Sequence, residues 1–141
     1  MPFLWSDAWL LQAIAIAASR DGAATLTEVL AAADAVNHAM PTDAELHGGF
    51  SRLTAGGFVT EVDGRFALAP RVPAEVAVKM VAGSWNSGRQ AASEFLDAEP
   101  WTPLVKGGDP RNALVYPGLT PERILEADQA YRQRLKRKPR R

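Results

Sequence analysis

The chain contains no cysteine among its 141 residues. This excludes a disulfide framework, a thiolate zinc site, an iron–sulfur cluster and a cysteine nucleophile. Long apolar runs are also missing: the longest, Ala13 to Ala18, falls far short of the roughly 20 residues that cross a bilayer. The opening residues Met1-Pro2-Phe3-Leu4-Trp5-Ser6-Asp7 carry no basic region and no cleavage site, so a cytoplasmic protein with no membrane partner is expected. Histidine is scarce. His38 and His47 stand on different predicted helices, with no HExxH, nucleophile elbow or P-loop around them. A non-enzymatic protein without metal or cofactor is the expectation.

What is present is a well-balanced globular composition. Apolar residues make up 47% of the chain and sixteen Lys+Arg match sixteen Asp+Glu, which excludes a disordered or collagen-like polypeptide. The zero net charge conceals a split. The last ten residues hold seven cations and no acid, leaving nine cations against sixteen acids over residues 1–131. Arg132, Arg134, Lys136, Arg137, Lys138, Arg140 and Arg141 form a basic tail with two readings: a nucleic-acid contact, or a solvated helix end whose cations complement the helix dipole.

The periodicity predicts a first helix from Ser6, as N-cap, to about Ser19. It is apolar nearly all round and therefore expected to lie between other elements, with Trp5 and Trp9 on one side. Thr25-Leu26-Thr27-Glu28 matches the capping box and opens a second helix to about His38, whose expected buried stripe is Leu26, Val29, Leu30, Ala33 and Val36 or Asn37. Thr42-Asp43-Ala44-Glu45 repeats the signature for a third helix to about Ala55, with Leu46, Phe50 and Leu53 inward. Gly56-Gly57 ends it, Phe58 to Val62 reads as a strand, Asp63-Gly64 as a tight hairpin turn and Arg65 to Ala69 as the returning strand.

This order of helix, helix, tight turn, helix and hairpin resembles the winged-helix domain, a helix-turn-helix variant, over Ser6 to Pro70. The segment Arg52 to Val59 looks like the phrase that commonly joins the third helix to the wing in such proteins. The expected architecture is mainly α with a small β-hairpin. A winged-helix core spans 1–70, a helical and Pro/Gly-rich extension packs on it over 71–131, and the basic tail spans 132–141. In the extension, Pro73 to Val81 and Gly88 to Leu96 read as helices, and Thr120-Pro121-Glu122 opens a last one. Trp101, Leu104, Leu114, Val115 and Tyr116 are apolar anchors for the irregular chain between Ala98 and Leu119.

The resemblance implies that the third helix enters the major groove and the wing touches the backbone or minor groove. The helix's outer face would then present Glu45, Gly48, Ser51, Arg52 and Ala55, with His47 at its margin. The candidate DNA contacts are His47, Ser51, Arg52 and Arg65, with Lys136, Arg137 and Lys138 of the tail adding nonspecific attraction. Asp43, Glu45, Glu61 and Asp63 oppose a polyanion there, although capping and turn formation account for them. The expected role is DNA-associated regulation. The alternative is a protein-binding or dimerising module on the same scaffold, for which tryptophans outside the core would suit an interface. Gly48-Gly49 inside a helix calls for close approach by another helix, or for a ligand against the bare backbone.

Overall fold

The computed structural model describes residues 3–99 and 115–137. The expectations for Trp101, Leu104, Leu114, the Arg137 side chain and the tail beyond it lie outside the described residues. In chain order the elements are α1 (Trp5–Ala18), β1 (Ala24–Thr25), α2 (Leu26–Asn37), α3 (Asp43–Ala55), β2 (Val59–Val62), β3 (Arg65–Leu68), α4 (Ala74–Ala82), α5 (Trp85–Ala98) and α6 (Pro121–Arg137). The three strands form one antiparallel sheet in the order β1-β3-β2. The protein is therefore mainly α with a small β-hairpin, an arrangement compatible with a winged-helix fold.

Both predicted capping boxes form. The Thr25 hydroxyl accepts the Glu28 N–H at 3.3 Å while Glu28 accepts the Thr25 N–H at 2.9 Å. Thr42 and Glu45 reciprocate in the same way at 3.1 and 2.9 Å. The hairpin closes through Asp63 and Gly64, whose φ angles of 53° and 76° are those of the two-residue turn that matches strand twist. Register pairs Val62 with Arg65 and Glu61 with Phe66, so Phe66 and Glu61 share one face. The short β1 was not expected; it exists because Ala24 and Thr25 pair with Phe66 and Arg65 of β3, a long-range partner with no local signature.

Helix α1 is the centre of the core. Trp9, Leu10, Leu11, Ala13, Ile14 and Ala15 are all buried, because α2, α3, α4, α5 and β3 all pack against it. Its start differs from expectation. Leu4, not Ser6, is the N-cap, and Asp7 at the third helical position accepts the Leu4 N–H at 2.8 Å. Phe50, Phe58 and Phe66 are fully buried, and the rings of Phe50 and Phe66 stack with centroids 4.3 Å apart, fixing α3 on the sheet. The Trp9 indole donates to the Ala33 carbonyl at 3.0 Å, and the Trp5 and Trp9 rings adjoin at 5.7 Å. Helices α4 and α5 meet at Gly83-Ser84, where Ser84 caps α5 a turn earlier than the sequence suggested. Gly88 brings α5 against α1, and Gln12 there donates to the Trp85 carbonyl at 2.9 Å. Among the described residues no helix is long and apolar enough to cross a membrane.

Candidate nucleic-acid interface

Helix α3 does not present the face that its helical wheel predicts. Arg52 is 2% exposed and lies inside the protein. Its side chain folds back along α3 over Gly48, where an added Cβ would stand 2.6 Å from Nη2. From there Nε donates to Asp7 Oδ2 at 2.7 Å and Nη2 to Oδ1 at 2.8 Å. The expected outer-face position of Arg52 is thus corrected: a buried carboxylate on α1 draws the guanidinium inward. Gly49 completes the arrangement, since a Cβ there would sit 2.6 Å from Leu10 Cδ2. Close approach by another helix thus accounts for Gly49, which meets α1, whereas at Gly48 the space is taken by Arg52 of the same helix.

The other α3 candidates are half-buried. His47 Nδ1 accepts the Tyr116 N–H at 3.0 Å, so the chain leading into α6 lies on it. The Ser51 hydroxyl oxygen is buried and has no hydrogen-bond partner among the described residues. From His47 that chain reaches the wing. Tyr116 donates its hydroxyl to Glu61 Oε1 at 2.7 Å, and Arg123 Nη2 pairs with Glu61 Oε2 at 2.8 Å, with its guanidinium over the Phe66 ring. Burial first, then the hydrogen bond to Glu61 and its charge, push the Tyr116 phenol up to about 12. Sequence reasoning missed this clamp. It joins residues 55 and 62 positions apart in the chain, and only the Tyr and Arg near the start of the last helix hint at it.

The clamp changes the wing's electrostatics. Glu61, counted from the sequence as opposing a polyanion, is neutralised by Arg123, which leaves exposed Asp63 against exposed Arg65. Arg65 is register partner to Thr25, at the amino end of α2. The Glu28 carboxyl on that end is held below its ordinary range, chiefly by the Thr25 backbone N–H against the cost of burial, and also by the Thr25 hydroxyl, Arg134 and Arg65. Arg134 and Arg65 therefore lie within electrostatic reach of one carboxylate. The wing cation Arg65 and Arg134 at the root of the basic tail are both exposed, as is Lys136, and both lie near Glu28 at the amino end of α2. Arg132 is engaged with Asp128 one turn back at 3.0 Å.

Helix α6 is held by the Tyr131 hydroxyl, which donates to Asp34 on α2 at 2.6 Å, and by Ala127 in the core. Burial, then the hydrogen bond to Asp34 and its charge, raise the Tyr131 phenol to about 12, with Arg132 opposing. Among the described residues no group of three or more His, Asp or Glu side chains is placed to hold a metal ion. Comparison of the chain with protein families, with curated proteins and with solved structures yields no match.

Proposed function

We propose that the protein is a non-enzymatic, DNA-associated regulator of winged-helix type that meets duplex DNA through its wing and basic tail, and not through α3. The observation that carries this reading is the burial of the only Arg or Lys on α3, Arg52, on Asp7, while Arg65 of the wing and Arg134 and Lys136 at the root of the tail are exposed. Cations that meet phosphate oxygens attract them without reading bases, so the association is sequence-independent. Lys136, Arg137 and Lys138 add three cations to the sequence that follows Arg134, and neutralisation of Glu61 by Arg123 removes one repulsive charge from the wing.

The test is fluorescence anisotropy of a labelled duplex at low salt with the full chain and with a variant carrying Arg65→Gln, Lys136→Gln, Arg137→Gln and Lys138→Gln. Binding by the wild type that is lost in the variant supports the reading. Equal binding by both, or by neither, overturns it.

A second reading, a protein-interaction module, is favoured by a different surface. Trp5 and Trp85 are each close to half exposed, and the Arg89 guanidinium stands 5.5 Å from the Trp5 ring. Tryptophan and arginine are the residues most enriched at energetically dominant interface positions. Capture of a protein partner that Trp5→Ala and Trp85→Ala abolish, with no duplex binding, would favour this reading over the first.

A further inference from the structure

Helix α6 is fastened to the rest of the protein at two places, and a hollow remains beside the helix between them. Near its start Arg123 pairs with Glu61 of the wing, and two turns later the Tyr131 hydroxyl donates to Asp34 of α2. Between these fastenings Ala127 is the one buried side chain, and it ends at a methyl group. A groove of about 410 Å³ is left between α2, the turn before α3, the first turn of α3 and α6. That volume lies within the range of sites that hold small organic ligands. Leu30 and Leu46, each 1% exposed, form its floor, and Met40, Pro41 and Pro121 form its walls. Leu125 stands on the rim, 55% exposed, an apolar side chain that the described residues leave uncovered.

Charge selects the occupant. Three charged side chains line the groove: Asp43, Asp128 and Arg132. Arg132 Nε donates to both carboxylate oxygens of Asp128, at 3.1 and 3.0 Å, so these two neutralise each other. Asp43 has no hydrogen-bond or ion-pair partner among the described residues. Helix capping does not account for its charge, because Glu45 in the same turn already closes the capping box and a helix amino end carries only about half a unit of positive charge. One uncompensated carboxylate therefore faces an apolar hollow. The rigid proline rings and the Met40 thioether, a group that makes favourable contacts with aromatic rings, suit a planar body between them. We propose that the groove binds a small aromatic amine, its protonated nitrogen on Asp43 and its ring over Leu30 and Leu46. The site is independent of duplex binding by the wing and tail.

Methyl-detected NMR of the full chain, titrated with tryptamine and with phenethylamine, tests this. The methyl signals of Leu30, Met40, Leu46 and Leu125 are expected to shift and to saturate with a dissociation constant of about 0.1–1 mM. Indole-3-acetate, which carries the indole ring with a negative charge, leaves them in place. Asp43→Asn weakens amine binding about threefold to fivefold, the worth of an exposed ion pair. Leu125→Arg sets a cation on the rim at an exposed position and abolishes binding. The absence of any saturable shift at millimolar amine overturns the proposal, as does affinity unchanged by either variant. Shifts confined to Ala15, Ala18 and Leu68, in the hollow between α1, β3 and α4, also overturn it. So does equal binding of indole-3-acetate, a comparison made on the unaltered protein and readable even if a variant fails to fold.

Discussion

The Asp7 carboxylate and the Arg52 guanidinium form a two-point ion pair at 2.7 and 2.8 Å, with both side chains removed from solvent. It joins the first turn of α1 to the last turn of α3 across 45 residues of chain. Removing one partner leaves the other charge buried without compensation. Arg52→Ala is expected to cost about 3–5 kcal/mol of folding stability. The double replacement Asp7→Leu with Arg52→Met should recover most of that loss. Urea denaturation of the three proteins checks it: a loss below about 1 kcal/mol in the single variant would place the pair among surface bridges.

The close approaches at two glycines predict unequal penalties. At Gly88 an added Cβ meets the Met80 carbonyl oxygen at 2.5 Å, a backbone atom that cannot rotate away. At Gly49 the obstacle is Leu10 Cδ2 at 2.6 Å, the end of a side chain. Gly49→Ala should cost about 1–3 kcal/mol, the range for overpacking, and Gly88→Ala more than Gly49→Ala. Thermal melts of both variants would give the order.

Two phenols define an alkaline limb. Tyr116 and Tyr131 titrate near 12 in the folded protein against 10.0 for the free side chain. The folded state holds these protons more tightly than the unfolded chain does. The stabilisation is complete below pH 10 and is lost as pH rises through 12. Tyr116→Phe and Tyr131→Phe should each lower stability at neutral pH and flatten that limb in a plot of melting temperature against pH.

Glu28 supplies an acid limb of the opposite sense. The Thr25 N–H holds its carboxyl below the ordinary value, so its contribution is present above the unfolded-state pKa and is lost as pH falls through the lower folded value. Glu28→Gln keeps an oxygen for the Thr25 N–H but removes the charge. The expected outcome is lower stability at neutral pH with a shallower acid dependence, read from the same melts.

Local chemistry made most of the core legible. Thr25 and Thr42 announce their helices through residues three positions away, and Asp63-Gly64 announces its turn by itself, so the signals are contained in a few consecutive residues. Apolar spacing likewise identified Leu46, Phe50 and Leu53 as an inner face, and all three are buried. What could not be read depends on contacts distant in the chain. Strand β1 exists only because β3 lies beside it. Arg52 occupies an outward helical position by angle, yet its length and the bare backbone at Gly48 let it turn back to Asp7. His47 similarly reads as a margin residue until Tyr116 arrives from 69 positions away. The exposure of Arg65 follows from its place beside the hairpin turn, whereas the outer face of α3 could not be read from its helical wheel.

The salt dependence of duplex binding tests the central claim most directly. If the seven tail cations displace counterions from duplex phosphates, the logarithm of the association constant should fall with the logarithm of salt with a slope of about six, and His47→Ala or Ser51→Ala should leave affinity unchanged. No binding at low salt, or binding insensitive to salt and dependent on His47 or Ser51, would contradict it.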